Sequence, residues 1–391
     1  MTPIIDVDSH FEPGGDWLAP YPKLAARLPK LDPALLAVDA IVGDLLRDVP
    51  AAERPPVAEL LPPGLLTLFG NEKLAEAERR REFEGKAQFQ KANAEARVKW
   101  LDQQGIALQH VICLSGFAYN LLIEDIALRR EVLHTCNTWL ADTCAEAGGR
   151  LLPVTALDYT DLEVAVAELE RMRGLGSRIF LIPAYPVAGV PPAHPSWDRV
   201  WAAAGSLGMA PMLHTGFEHM RFDPGWANLG AGVTELRMLG GAHRHVAPMT
   251  LLNALIYTGV FERFPTLTLL LAEVGTGWLP FLFREIDDRV SPVAELFLGK
   301  SKLALRPSEY LARNVRATPL AGGNDSPLVK IMEELPEDVV VFSSDFPHFE
   351  GFTDPVGHYR ETLSGLPSAR RERFLGASIA GVYTRMGDPL L

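Results

Sequence analysis

Ile4-Ile5-Asp6-Val7-Asp8-Ser9-His10-Phe11-Glu12-Pro13 opens the chain as an apolar pair that runs into spaced acidic and imidazole side chains. Read as a β-strand, residues two apart face the same side. The Asp8 carboxylate and the His10 ring therefore project together, as an oxygen and nitrogen pair able to chelate a metal that activates water or holds an oxygen-rich substrate. Asp-x-His alone is a weak motif. It gains weight from two ligand-type residues much later in the chain, each closing an apolar, strand-like run. His214 ends Ala210-Pro211-Met212-Leu213-His214-Thr215-Gly216, and Asp345 sits in Val341-Phe342-Ser343-Ser344-Asp345-Phe346-Pro347-His348. A carboxylate at the end of an apolar strand is expensive to bury without a partner, and a metal ion is the natural compensation. Taken singly, Asp8 reads as a turn cap, His214 as a hydrogen-bonded core histidine and Asp345 as a helix N-cap. Their joint position at the ends of the first, a middle and the last strand favours one metal site with open positions for water or substrate. Two nitrogens and two carboxylates suit one divalent ion, zinc first, with manganese or iron as alternatives.

Outward from these runs the chain alternates. Strands are expected at His110–Leu114, Leu151–Ala156, Ile179–Ile182, Ala210–His214, Leu267–Glu273, Asn314–Thr318 and Val339–Ser344. Helices are expected up to Gly105 and over Ile126–Ala147, Asp161–Arg173, Trp197–Ser206 and Asn253–Phe264. Strands buried on both faces and separated by helices imply a parallel sheet. About eight of them favour a closed (β/α)8 TIM barrel over an open doubly wound sheet. Residues 1–391 read as a single α/β domain with a helical insertion after the first strand, at about 33–90, rich in Pro, Ala, Leu and charge. Such an insertion borders the active-site face of a barrel. It suits a lid, a dimer contact or an ordinary helical elaboration.

Composition narrows the partners. A formal net charge of −12 with no long basic run argues against nucleic acid and anionic membrane. No apolar stretch reads as membrane-spanning, and Asp6 and Asp8 interrupt the place of a leader's apolar core. Cys113, Cys136 and Cys144 are odd in number and lack zinc-like spacing. The expectation is a cytoplasmic protein acting on a small molecule.

On these residues the chain resembles the amidohydrolase superfamily, in the amidohydrolase-related branch that includes aminocarboxymuconate semialdehyde decarboxylase and γ-resorcylate decarboxylase. The resemblance rests on the opening run, on Leu213–Gly216 and Ser344–His348, and on two middle stretches. These are Gly259-Val260-Phe261-Glu262-Arg263-Phe264-Pro265 and Glu273-Val274-Gly275-Thr276-Gly277-Trp278-Leu279-Pro280. It implies a distorted (β/α)8 barrel with one divalent metal held by Asp8, His10, His214 and Asp345, and a homodimer. Asp8 departs from the superfamily's His-x-His, as it does in related decarboxylases. Those decarboxylases end the sixth strand in an acid/base histidine, where this chain has Glu273. A buried glutamate there serves as proton shuttle if desolvation raises its pKa, or else as an outer residue orienting a ligand or Trp278. The fourth strand, Ile179-Phe180-Leu181-Ile182-Pro183, offers no lysine for a bridged two-metal site.

Proton chemistry has further candidates in His348, just past Asp345, and in His245; Asp345 itself is the candidate base on bound water. His243, Arg244 and His245 follow Gly240-Gly241-Ala242 in an expected loop, where a His/Arg cluster could bind an anionic substrate group. Trp278 completes the substrate-binding set as a packing surface. Glu12 is a candidate partner of the ligands or only part of a Glu-Pro turn. The leading expectation is a metal-dependent, non-oxidative decarboxylase of a small organic acid. A hydrolase of an amide, ester, lactone or activated C–C bond is the alternative, and a catalytically inactive binding barrel a third.

Overall fold

The structure, a computed structural model, describes residues 2–11, 17–29, 45–56, 93–113, 123–216, 222–230, 232–320, 328–348 and 351–390. Glu12 and most of the insertion expected at 33–90 lie outside them. Strands β1 (Ile4–Asp6), β2 (Ile106–Val111), β3 (Leu151–Thr155), β4 (Ile179–Leu181), β5 (Ala210–His214), β6 (Leu269–Ala272) and β7 (Val315–Ala317) form one parallel sheet in sequence order. Nearly every strand residue is buried. Helices cover the outer face of such a sheet and side chains fill its inside, so both faces must be apolar.

The sheet closes on itself through residues 339–346. Val340 bridges Ala317 of β7, and Phe346 bridges Ser9 beyond β1. The Ala317 N–H donates to the Val339 carbonyl at 2.8 Å, and the His10 N–H to the Phe346 carbonyl, also at 2.8 Å. This eighth strand was expected as a regular one over Val339–Ser344, and it makes only isolated bridges. The reason is where its N–H groups go: Phe342 donates to the Phe374 carbonyl at 2.9 Å and Ser344 to the Asp6 carboxylate at 3.0 Å. The result is a distorted (β/α)8 barrel.

Helix limits follow local chemistry. Asn93 caps Ala94–Gln104 by accepting from the Ala96 N–H, and Gly105 ends it in the left-handed region at φ 70°. Asp125 and Asp161 cap Ile126–Ala145 and Leu162–Gly174 in the same way, each cap contributing about 1 kcal/mol. The helix expected over Asn253–Phe264 is two, Val246–Tyr257 and Val260–Arg263, parted at Gly259 with φ 74°. Strand β2 begins at Ile106, directly after the Gly105 cap, earlier than the apolar run at His110 suggested. After β1, residues 17–29 pack on the outside of Ile126–Ala145, where Trp17, Leu18, Leu24 and Leu28 meet Leu128, Val132 and Cys136. No described helix is long and apolar enough to cross a membrane.

Candidate metal centre

The alternation argued for the opening run holds beyond the end of β1. Ser9 turns its hydroxyl to the His110 carbonyl at 2.7 Å, and its neighbours Asp8 and His10, both fully buried, face a shared cluster. His10 Nε2 lies 3.4 Å from Asp8 Oδ1 and 3.2 Å from Asp345 Oδ1. His214, the last residue of β5, donates from Nδ1 to the Thr215 carbonyl at 2.8 Å. That bond fixes the tautomer and turns Nε2 inward, 3.5 Å from Asp8 Oδ1 and 3.2 Å from Glu273 Oε2. His348 Nδ1 stands 2.9 Å from Asp345 Oδ1, and its ring stacks on His10 with centroids 3.8 Å apart. Thus Asp8, His10, His214, Asp345, Glu273 and His348 come together from the ends of β1, β5, β6 and the closing strand.

Two of these residues hold unusual backbone. Glu273 and Asp345 have φ of 59° and 52°, in the left-handed region that side chains other than glycine rarely adopt. Strain of this kind persists where the surroundings over-determine it, and it clusters at functional sites.

The donor chemistry fits a divalent cation. Both oxygens of Asp8, both oxygens of Asp345 and both ring nitrogens of His10 are buried without a well-aligned hydrogen bond among the described residues. Their imidazole–carboxylate contacts, at 2.9–3.5 Å, are ion pairs without well-aligned hydrogen-bond geometry. A buried polar atom left so costs about 1–3 kcal/mol. One cation would take an oxygen from each carboxylate and one ring nitrogen of His10. Ligand atoms of Asp8, His10 and His214 lie within 4.8 Å of one another, as do those of His10, Asp345 and His348.

Electrostatics agree. Burial disfavours the charged forms throughout, yet the imidazoles outweigh it at Asp8 and Asp345, whose carboxyls are held below the usual carboxylate range. Burial likewise opposes charge on His214, but the Asp8 carboxylate, followed by Glu273, pushes the ring up to about 10. A proton there substitutes for a cation, and metal binding would displace it. Glu273 is pushed well above the carboxylate range, first by burial and then by the Asp345 charge.

Sequence reasoning missed a polar layer beneath the cluster. Arg97 and Gln109 are fully buried, and with Asp6 they form a hydrogen-bonded chain. Asp6, an acidic residue inside the strand Ile4–Asp6, was the available signal. Arg97 gave none, because its helix reads as polar and exposed.

The loop candidates stand apart. Gly240-Gly241-Ala242 is the last turn of the helix Val233–Ala242, so the glycines do not form the expected loop, and His243, Arg244 and His245 make the short turn before Val246. His243 Nδ1 donates to the Leu239 carbonyl at 2.7 Å, and its ring meets Phe222 edge-on. Among the described residues no hydrogen bond, ion pair or ring contact joins these three to the cluster. Trp278 packs against the barrel core and donates its indole N–H to the Val274 carbonyl at 3.1 Å.

A family model described as amidohydrolase matches residues 118–383. The chain is 24% identical over 286 residues to a γ-resorcylate decarboxylase of Polaromonas sp. strain JS666, covering 68% of this chain and 80% of that one. Its structure is similar to that of an amidohydrolase from Mycobacterium avium subsp. paratuberculosis K-10, at TM-score 0.69 and 21% identity over 98% and 99% of the two chains. A dihydroxybenzoic acid decarboxylase from Polaromonas sp. JS666, solved with bound manganese and the inhibitor 2-nitroresorcinol, is similar at TM-score 0.63 and 18% identity, over 98% and 97%. These structural likenesses are likenesses of fold.

Proposed function

The chain belongs to the amidohydrolase family, and from that premise we propose that it is a metal-dependent, non-oxidative decarboxylase of a small hydroxylated organic acid. One observation carries the reading: buried carboxylate and imidazole atoms of Asp8, His10 and Asp345 converge beside His214 without well-aligned hydrogen bonds among the described residues, and a cation at their centre would relieve them. The names of the curated relatives, γ-resorcylate decarboxylases, support the reaction class.

These four residues would hold one divalent ion. Manganese is the first to test because a similar structure carries it; zinc and iron suit the donors equally. When bound, the ion supplies Lewis-acid stabilisation of negative oxygen on the substrate. Glu273 is the proton carrier. Burial first, and then the Asp345 charge, push its carboxyl well above the carboxylate range, which favours the protonated form that a donor needs. As the C–C bond breaks, the electron pair stays on the substrate carbon, CO2 departs, and Glu273 gives its proton to that carbon. Water returns the proton to Glu273 as product leaves. His348, paired with Asp345 and stacked on His10, lies beside the same cluster.

Hydrolysis is the second reading, favoured by Glu273 standing where the family's decarboxylases carry a histidine. One assay separates the two. Manganese- and zinc-loaded protein is given dihydroxybenzoates, carboxyvanillate, muconate-like acids, lactones and amides, with CO2 release followed separately from hydrolysis. We expect CO2 from a carboxylated phenol, and Glu273→Gln to lower kcat about 10²–10⁴-fold with metal content unchanged. Turnover confined to lactones or amides would reject the decarboxylase.

A further inference from the structure

Of the candidate ligands, His214 lies in the β5 ladder, while Asp8, His10 and Asp345 lie outside the regular ladders of the sheet. Strand β1 pairs with β2 in the regular ladder at Ile4–Asp6, and beyond it only an isolated bridge joins His10 to Ile112, with the Ile112 N–H donating to the Ser9 carbonyl at 2.7 Å and the Phe11 N–H to the Ile112 carbonyl at 3.0 Å. On the closing side, the local backbone bonds are His10 N–H to Phe346 carbonyl at 2.8 Å and Asp345 N–H to Asp8 carbonyl at 3.0 Å. These few bonds leave room for a side chain that braces Asp8 and His10 against Asp345.

We propose that Arg97 is that device: a positioning residue that clamps the first and last strands and so sets the ligand geometry of the metal centre. This rests on the metal reading above. The contacts are specific to both sides of the seam. The guanidinium lies 4.4 Å from the Phe11 ring centroid and 4.8 Å from that of Phe346. Phe11 follows His10 and Phe346 follows Asp345, so each ring is the chain neighbour of a ligand. Trp100, one turn along the helix Ala94–Gln104, stacks on Phe346 at 3.9 Å and backs the clamp.

The fork's hydrogen bonds complete it. Arg97 Nη2 donates to the His10 carbonyl at 2.7 Å, and Nη1 to Gln109 Oε1 at 2.7 Å. Gln109 Nε2 passes the chain to Asp6 Oδ2 at 2.8 Å. Asp6 Oδ1 then accepts from the backbone N–H groups of Asp8 at 3.3 Å and Ser344 at 3.0 Å. One charged side chain thus reaches, directly or through Gln109 and Asp6, the peptide after His10, the peptide before Asp8 and the peptide before Ser344, the neighbour of Asp345.

A buried guanidinium is a poor choice for stability alone, because apolar side chains of similar volume usually do as well or better. It is a good choice for geometry. The planar fork holds fixed angles to two acceptors while its faces lie against two aromatic rings, which an ammonium cannot reproduce.

The test uses the full chain stripped of metal and titrated with Co²⁺ alone. Affinity is read by chelator competition and geometry by the visible d–d bands. Arg97→Lys and Arg97→Met should weaken Co²⁺ binding roughly 10- to 100-fold and alter the band intensities. Arg316→Met, a buried arginine of β7 bonded to the Ala312 and Val315 carbonyls, should lower the melting temperature and leave affinity and bands unchanged. If the Arg97 variants do not accumulate as folded protein, Gln109→Met, which cuts the chain to Asp6, carries the same expectation. Folded variants with wild-type affinity and spectrum would overturn the clamp and leave the metal reading standing. Wild-type protein that takes up no stoichiometric Co²⁺ would overturn both.

Discussion

Asp345 enters the cluster from left-handed backbone, a conformation costing a residue other than glycine about 1–3 kcal/mol. Asparagine tolerates that conformation well, so Asp345→Asn removes the charge and spares the turn. We expect metal affinity to fall at least about 100-fold, since partners one bond further out are already worth 10–100-fold. CO2 release should fall with it, while the far-ultraviolet circular dichroism stays that of the parent. His214→Ala should do the same. Metal content after gel filtration checks both, and full turnover in a metal-free variant would reject the mechanism. The meeting of Asp8, His10, His214 and Asp345 was legible in the sequence because each occupies a strand end, and strand ends converge at one face of a barrel. Burial of Arg97 was not legible. It sits in the helix Ala94–Gln104 near Glu95 and Lys99, which pair on the surface, and only tertiary packing distinguishes it from them. Proximity in the chain to an apolar element suggested a role for His243, Arg244 and His245, yet side chains in a turn between helices need not face the barrel mouth.

The hairpin between Val187 and Val190 turns through Ala188 and Gly189, with φ of 48° and 81°. Two positive φ values in a two-residue loop make the kind of turn that favours Asn-Gly. Alanine is strained there by about 1–2 kcal/mol, and its side chain is exposed with no packing to lose. Ala188→Asn should therefore raise stability by roughly 0.5–1 kcal/mol without touching activity; an unchanged or lowered urea midpoint would contradict it. The same local chemistry explains which elements were readable. Strand β5 was expected at Ala210–His214 and occurs there, because an apolar run bounded by Gly208 and Gly216 has one reading. The helix expected over Asn253–Phe264 divides because Gly259 takes φ 74°, a conformation that apolar periodicity does not carry. The closing strand's apolar run was visible, while its diversion of N–H groups to Phe374 and Asp6 depends on residues distant in sequence.

At the scale of the whole molecule, acid stability depends on a histidine outside the metal cluster. His110 of β2 is fully buried, its Nδ1 has no hydrogen-bond partner among the described residues, and its Nε2 meets only the Tyr383 hydroxyl at 3.4 Å. Burial pushes its pKa down to about 3, from about 6.5 in an unfolded chain. Between those values the unfolded chain binds a proton that the folded one refuses, so stability rises with pH across the window and is lost as pH falls through it. The contribution is complete above about pH 6.5, and lowering the pH from about 7 to about 4.5 should remove roughly 2–3 kcal/mol through this one side chain. His110→Gln keeps a polar group of similar reach beside Tyr383 and cannot charge. Its urea midpoint should lie near or below that of the parent at about pH 7 and move above it at about pH 4.5. Measuring both proteins metal-free, with chelator present, makes the cluster's own titration common to the pair, so that it cancels in the difference. Equal pH slopes for the two proteins would mean that the folded barrel accommodates a charged His110, and the acid sensitivity would then belong to the cluster alone.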